Sequence, residues 1–210
     1  MEGIFVIMKT KDNTSSTDSI NSFDLTNELI EINENASSIS KENIAEFKEI
    51  IKDITENSNV TALKDHIQHI NSSRYAHCEE VALYTFLICK KLKLDYISAT
   101  RGAMLHDFYF YNWRNKHVEG QKKFHLFRHP RIALENALDI FDLNDMEKDI
   151  IIKHMWPLTI VPPKFKESYI VTLVDKYCAT YETTSYLLDQ LKRKPTWQYA
   201  YLMLWLVIKK

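Results

Sequence analysis

Three glycines and five prolines are all that punctuate this chain of 210 residues, and that scarcity constrains its fold more than any other feature. An all-β domain needs frequent tight reversals, and Gly and Pro are the residues that make reversals inexpensive. A chain this poor in both is expected to be mainly helical. The spacing of apolar residues agrees. In "SKENIAEFKEIIKDI", Ile44, Phe47, Ile51 and Ile54 recur at helical intervals, with Ser40 and Glu42 placed to cap the start. "SSRYAHCEEVALYTFLICKKLKL" reads as a longer helix with His77, Val81, Tyr84, Leu87 or Ile88, and Leu92 along one stripe. "DYISATRGAMLHD" follows with Asp95 as its N-cap.

A basic and aromatic loop is expected over 108–128. Pro130 then stands at the first helical position of "PRIALENALDIF", which puts His129 at the N-cap. "NDMEKDIIIKHM" carries a capping box in Asn144 and Glu147, and Pro157 ends that helix after His154. "ESYIVTLVDKYCATYE" is a further apolar helix with Asp175 in its middle. No run alternates as a strand would. The expected fold class is all-α, with at least six helices in a single bundle over 41–210. Residues 9–40 are rich in Ser, Thr, Asn and Asp, so 1–40 is expected to be a flexible segment with at most one short helix.

Charge narrows the partners. With 27 basic and 28 acidic residues the formal net charge is −1, which speaks against a nucleic-acid binder. Cys78, Cys89 and Cys178 form no C-x-x-C pair, and an odd count fits reduced thiols in a cytoplasm. "MEGIFVIMK" has no basic start and is too short for a secretory signal. "YAYLMLWLVIKK" holds about ten apolar residues, roughly half of a membrane span. It is expected to be a helix docked on the core, with a membrane-surface or partner-binding end, an oligomer contact included, as its other use.

Placed on this scaffold, His77, His106-Asp107, His129, His154 and Asp175 come from different helices, and a bundle can aim them all inward. Singly, each histidine has a plain reading as a hydrogen-bonded core residue. Asp175 is harder to dismiss, because a carboxylate among Ile, Val and Leu must be exposed, paired or bound to a cation.

The ordered set, with "SSRYAH", "AMLHD", "RHP", "IIKHMWP" and "TLVDKY", closely resembles the HD superfamily of metal-dependent phosphohydrolases over about Ser73 to Tyr181. That resemblance implies a first metal on His77, His106, Asp107 and Asp175. It also implies a second on His129 and His154, bridged by Asp107. Imidazole and carboxylate suit iron or manganese, with zinc, nickel or magnesium as the other candidates. The implied reaction is attack by metal-activated hydroxide on a phosphate ester or anhydride, a nucleotide for preference, with His106 and Asp107 at its centre.

One position departs from the family pattern. Many members carry a lysine three residues after the HD aspartate, where this chain has Phe110. Arg114, Lys116, Arg128 and Lys153 are the replacement candidates for phosphate contact. His125 is a candidate outer partner or general acid, and His69 a candidate pocket residue, whereas His66 and His117 are expected to face solvent. Phe108, Tyr109, Tyr111 and Trp113 would form a stacking wall for a base, with at least half of them serving the core. A di-iron oxygenase and a non-catalytic sensory or binding module are the alternative readings of the same pattern.

Overall fold

The structure, a computed structural model, describes residues 40–66, 72–111 and 125–193. His69, Trp113, Arg114, Lys116, His117, the first 39 residues and the apolar C-terminus lie outside them, as does the side chain of His125. Among the described residues every regular element is helical. Contacts along the chain group it into two compact units, Met1–Asp53 and Ile54–Lys210.

In the first unit, α1 (Lys41–Ile50) starts where Ser40 Oγ accepts the Asn43 amide at 3.2 Å. The single helix expected through Ile54 is interrupted. Ile51 leaves helical geometry, and α2 (Lys52–Thr55) is a separate turn. No glycine or proline breaks the run; Ile51, at φ −99° and ψ 6°, steps out of helical geometry as the C-cap of α1.

The second unit holds the site. After α3 (Ser58–Thr61) and a 3₁₀ turn at Ala62–Asp65, Ser73 caps α4 (Arg74–Lys91). The expected apolar stripe of α4 is too narrow. Cys78, Ala82, Leu83, Phe86 and Cys89 are buried beside His77, Val81 and Tyr84, whereas Leu92 is 57% exposed. A helix buried this far round is a central one. It packs along α5 (Tyr96–Leu105) and α8 (Lys166–Arg193). Asp95 caps α5, accepting the Ser98 amide at 3.0 Å.

Helix α6 (His125–Leu138) contains Pro130 in its interior. His129 is therefore a helical residue one turn inside, not the N-cap. A proline there forfeits one backbone hydrogen bond, a loss the rest of a 14-residue helix can carry. In α7 (Asp145–Lys153) the Asn144–Glu147 capping box forms, with reciprocal bonds of 2.9 and 2.8 Å, and His154 is the C-cap. Helices α5 and α7 pack closely, with α6 on α7 and α8 against α4, α5 and α7. No helix among the described residues is long and apolar enough to cross a membrane.

Candidate metal centre

Five helices deliver six side chains to one place. His77 comes from α4, the His106-Asp107 pair from the end of α5, His129 from α6, His154 from the cap of α7, and Asp175 from the middle of α8. All six are 9% exposed or less. A cluster of carboxylates and imidazoles this far from water needs mutual pairing or a cation.

The geometry divides into two groups that share Asp107. His77, His106 and Asp107 form one set with ligand atoms within 4.8 Å of one another; Asp107, His129 and His154 form the other. Asp107 Oδ2 lies 3.8 Å from His106 Nε2, while its Oδ1 lies 3.3 Å from His129 Nε2 and 3.6 Å from His154 Nε2. One carboxylate oxygen thus serves each group. Asp175 completes the first, its Oδ1 lying 3.2 Å from His77 Nε2 and 3.6 Å from His106 Nε2.

The backbone decides which ring nitrogens are available. His106 Nδ1 lies 2.7 Å from the Ala103 carbonyl and His154 Nδ1 2.9 Å from that of Ile151. A carbonyl only accepts, so both Nδ1 atoms donate and each Nε2 is the ring nitrogen that points into the cluster. His106 Nε2 is buried without a hydrogen-bond partner. Across the centre, His129 Nε2 and His154 Nε2 stand 2.8 Å apart, a spacing that calls for a shared proton or a cation. An orphaned imidazole nitrogen, two ionised carboxylates and a purely N/O donor set fit a divalent transition metal. The His/Asp clusters could therefore hold metal ions.

Without a bound ion the cluster carries protons unevenly. Burial, the largest influence on His77, opposes its charge, but Asp175 and then Glu182 outweigh it and raise its pKa to about 10. His106 is likewise raised against its burial, by Cys78, Asp107 and Asp175. His154 goes the other way. Burial first, then the neighbouring His129 and His106, push it down to about 3. Burial works against ionisation of Asp107 and Asp175 too, yet the surrounding imidazoles hold both below the usual carboxylate range.

The remaining sequence candidates lie further out. Arg128 is exposed beside His129. The Lys153 amine sits 3.0 Å from Asp149 Oδ1 and donates to the Pro162 carbonyl at 2.9 Å. Phe108 and Tyr109 are core residues, Tyr111 is half-buried and Phe110 is 38% exposed. His66, expected to face solvent, is half-buried. Burial and the Arg74 charge lower its pKa, and its ring meets Phe110 edge-on with centroids 6.1 Å apart.

Sequence reasoning missed three residues. Arg74 is fully buried, donating to the carbonyls of Tyr109 and Tyr111 with its guanidinium 3.6 Å from the Tyr109 ring centroid. It thereby fixes the segment that follows Asp107, and Tyr109 in turn packs near the His129 ring. Lys176 donates to the His154 carbonyl at 2.7 Å and lies 3.9 Å from Asp175 Oδ2. Glu182 lies 3.8 Å from His77 Nδ1. Glu182 stands seven residues after Asp175, two turns along the same helix face, and that spacing was the available signal.

No family model, curated protein or solved structure matches this chain.

Proposed function

We propose that the chain is an HD-type metal-dependent phosphohydrolase with a two-metal centre, acting on a small phosphorylated molecule, a nucleotide for preference. The observation that carries this reading is Asp107, whose two carboxylate oxygens face separate histidine groups. A single-ion site has no use for that division. Iron or manganese is the occupant we favour for this set of four imidazoles and two carboxylates, with zinc, nickel or magnesium behind them.

Two cations held there would lower the pKa of coordinated water and offset charge on a phosphoryl group. The chain's own contribution is placement. Asp107 sets the spacing of the two halves, and the Ala103 and Ile151 carbonyls aim His106 and His154 inward. Burial keeps bulk water from screening the charges. Lys176, whose side chain is one-third exposed beside Asp175, and Arg128, exposed beside His129, are the described cations we assign to substrate phosphate. Arg114, Lys116, His69 and His125 join them as assignments from sequence.

The test is metal content by plasma mass spectrometry on protein purified without chelator, followed by a phosphate-release screen over nucleotides. Bound iron or manganese with release of phosphate, absent in Asp107→Ala, supports the reading. Iron with oxygen uptake and no phosphate release replaces it with an oxygenase. A chain that takes up no metal is a helical binding module.

A further inference from the structure

The three inward-facing rings outside α6 are steered in two different ways. His106 and His154 have Nδ1 fixed by a backbone carbonyl of their own helix. The Nδ1 edge of His77 faces a carboxylate instead, Glu182 Oε1 at 3.8 Å, while its Nε2 lies 3.2 Å from Asp175 Oδ1. Glu182 is itself held, since its Oε2 accepts the Ser72 hydroxyl at 3.0 Å, across a chain separation of 110 residues. Its side chain is only 14% exposed, so solvent screens its charge weakly.

A histidine that ligates through one nitrogen needs its proton on the other, and the partner of that proton sets ring orientation and donor strength. We propose that Glu182 is the positioning residue for the first ion. Without a bound ion His77 Nε2 donates to Asp175 Oδ1; with one bound, the Glu182 carboxylate would hold the remaining His77 proton on Nδ1 and strengthen Nε2 as a donor. Ser72 holds the carboxylate in place. Helix α8 thus supplies both a ligand and the carboxylate behind another ligand, from positions two turns apart. The inference rests on the metal reading of the cluster, not on the identity of the substrate.

At 3.8 Å the contact is ionic and too long for a hydrogen bond. Glu182→Gln, which keeps shape and removes charge, is therefore the discriminating variant. Cobalt(II) is titrated into the full chain in a His129→Ala background, where only the first ion is held. Glu182→Gln should weaken cobalt binding about 10- to 100-fold with an unchanged melting temperature. Long-range ¹H–¹⁵N spectra of the zinc-loaded protein should show His77 ligated through Nε2 and protonated at Nδ1. In a His77→Ala background the same substitution should leave cobalt binding at the second group unchanged. Unaltered cobalt affinity in Glu182→Gln, or equal losses in both backgrounds, would overturn the proposal. Failure of the unsubstituted chain to take up any cobalt would overturn the metal reading itself, and this inference with it.

Discussion

The two halves of the cluster use the same kinds of side chain yet hold their protons differently. Around His77 and His106, two carboxylates face two rings, and each ring is raised in pKa against its burial. Around His129 and His154, one oxygen of the shared Asp107 faces two rings, and His154 stays neutral at physiological pH. Ligand identity alone therefore does not set how a site meets an ion. The ratio of carboxylate to imidazole, in a place water does not reach, decides whether a proton must leave first.

The largest effect should come from removing what the halves share. Asp107→Ala is expected to lose both ions and all turnover of any phosphate substrate, read by metal analysis and phosphate release. Detectable turnover in that variant would break the two-metal scheme. Next, His129→Ala should reduce bound metal from about two ions per chain to about one, and a chain that still held two would merge the halves into a single site.

Arg74→Ala tests the segment joining the halves. It leaves two carbonyls without their charged donor and the Tyr109 ring without its cation, at a cost of about 3 kcal/mol. For a chain of this size the melting temperature should fall by roughly 6–12 °C. Arg74→Lys should recover part of that, since it keeps the charge and loses the fork. An unchanged melting temperature in Arg74→Ala would show that other contacts hold the segment.

The halves should also separate by pH. Protons compete with an ion wherever the pH lies below the pKa that the ligand has without it. At pH 7, His77, raised to about 10, must lose its proton, whereas His154, pushed down to about 3, has none to lose. First-half affinity should then rise with pH through the neutral range, about tenfold per unit for each proton displaced. Second-half affinity should rise less. Cobalt titrations at pH 6, 7 and 8 in His129→Ala and His77→Ala give the two slopes, and equal slopes would remove the distinction.

The smallest effect concerns the contact between α5 and α7, which carry His106 and His154. A Cβ at Gly102 would stand 2.9 Å from Ile150 Cδ1 and 3.1 Å from its Cβ and Cγ2. Gly102→Ala gains about 1 kcal/mol of helix propensity and loses about 1–3 kcal/mol to overpacking. A net drop of roughly 2–4 °C in melting temperature is expected. Adding Ile150→Val, which removes Cδ1, should restore part of it.

Much of this was legible along the chain, because the features concerned are local. Helical spacing, the Asp95 cap and the Asn144–Glu147 box depend on residues within a turn or two of each other, and they formed as read. The six residues of the cluster were visible for another reason: singly each histidine reads as a core residue, and it was their order along the chain that resembled the HD pattern. Local signals failed at Pro130, where a residue that favours a helix start sits inside one, and at Ile51, where a helix ends that nothing in the sequence stops.

What the sequence alone determined, then, is the helical scaffold and the set of side chains that can meet on it. Tertiary structure decided how they meet. Arg74 reaches carbonyls 35 and 37 residues away, and Glu182 is tied to Ser72 across 110. No periodicity encodes such contacts, since the first exist only once α4 lies along α5 and the second only once the start of α4 lies along α8. The same holds for Asp107, whose two oxygens became distinct when five helices closed around them and excluded water. In that low dielectric a few ångströms fix which ring keeps a proton and which stays neutral.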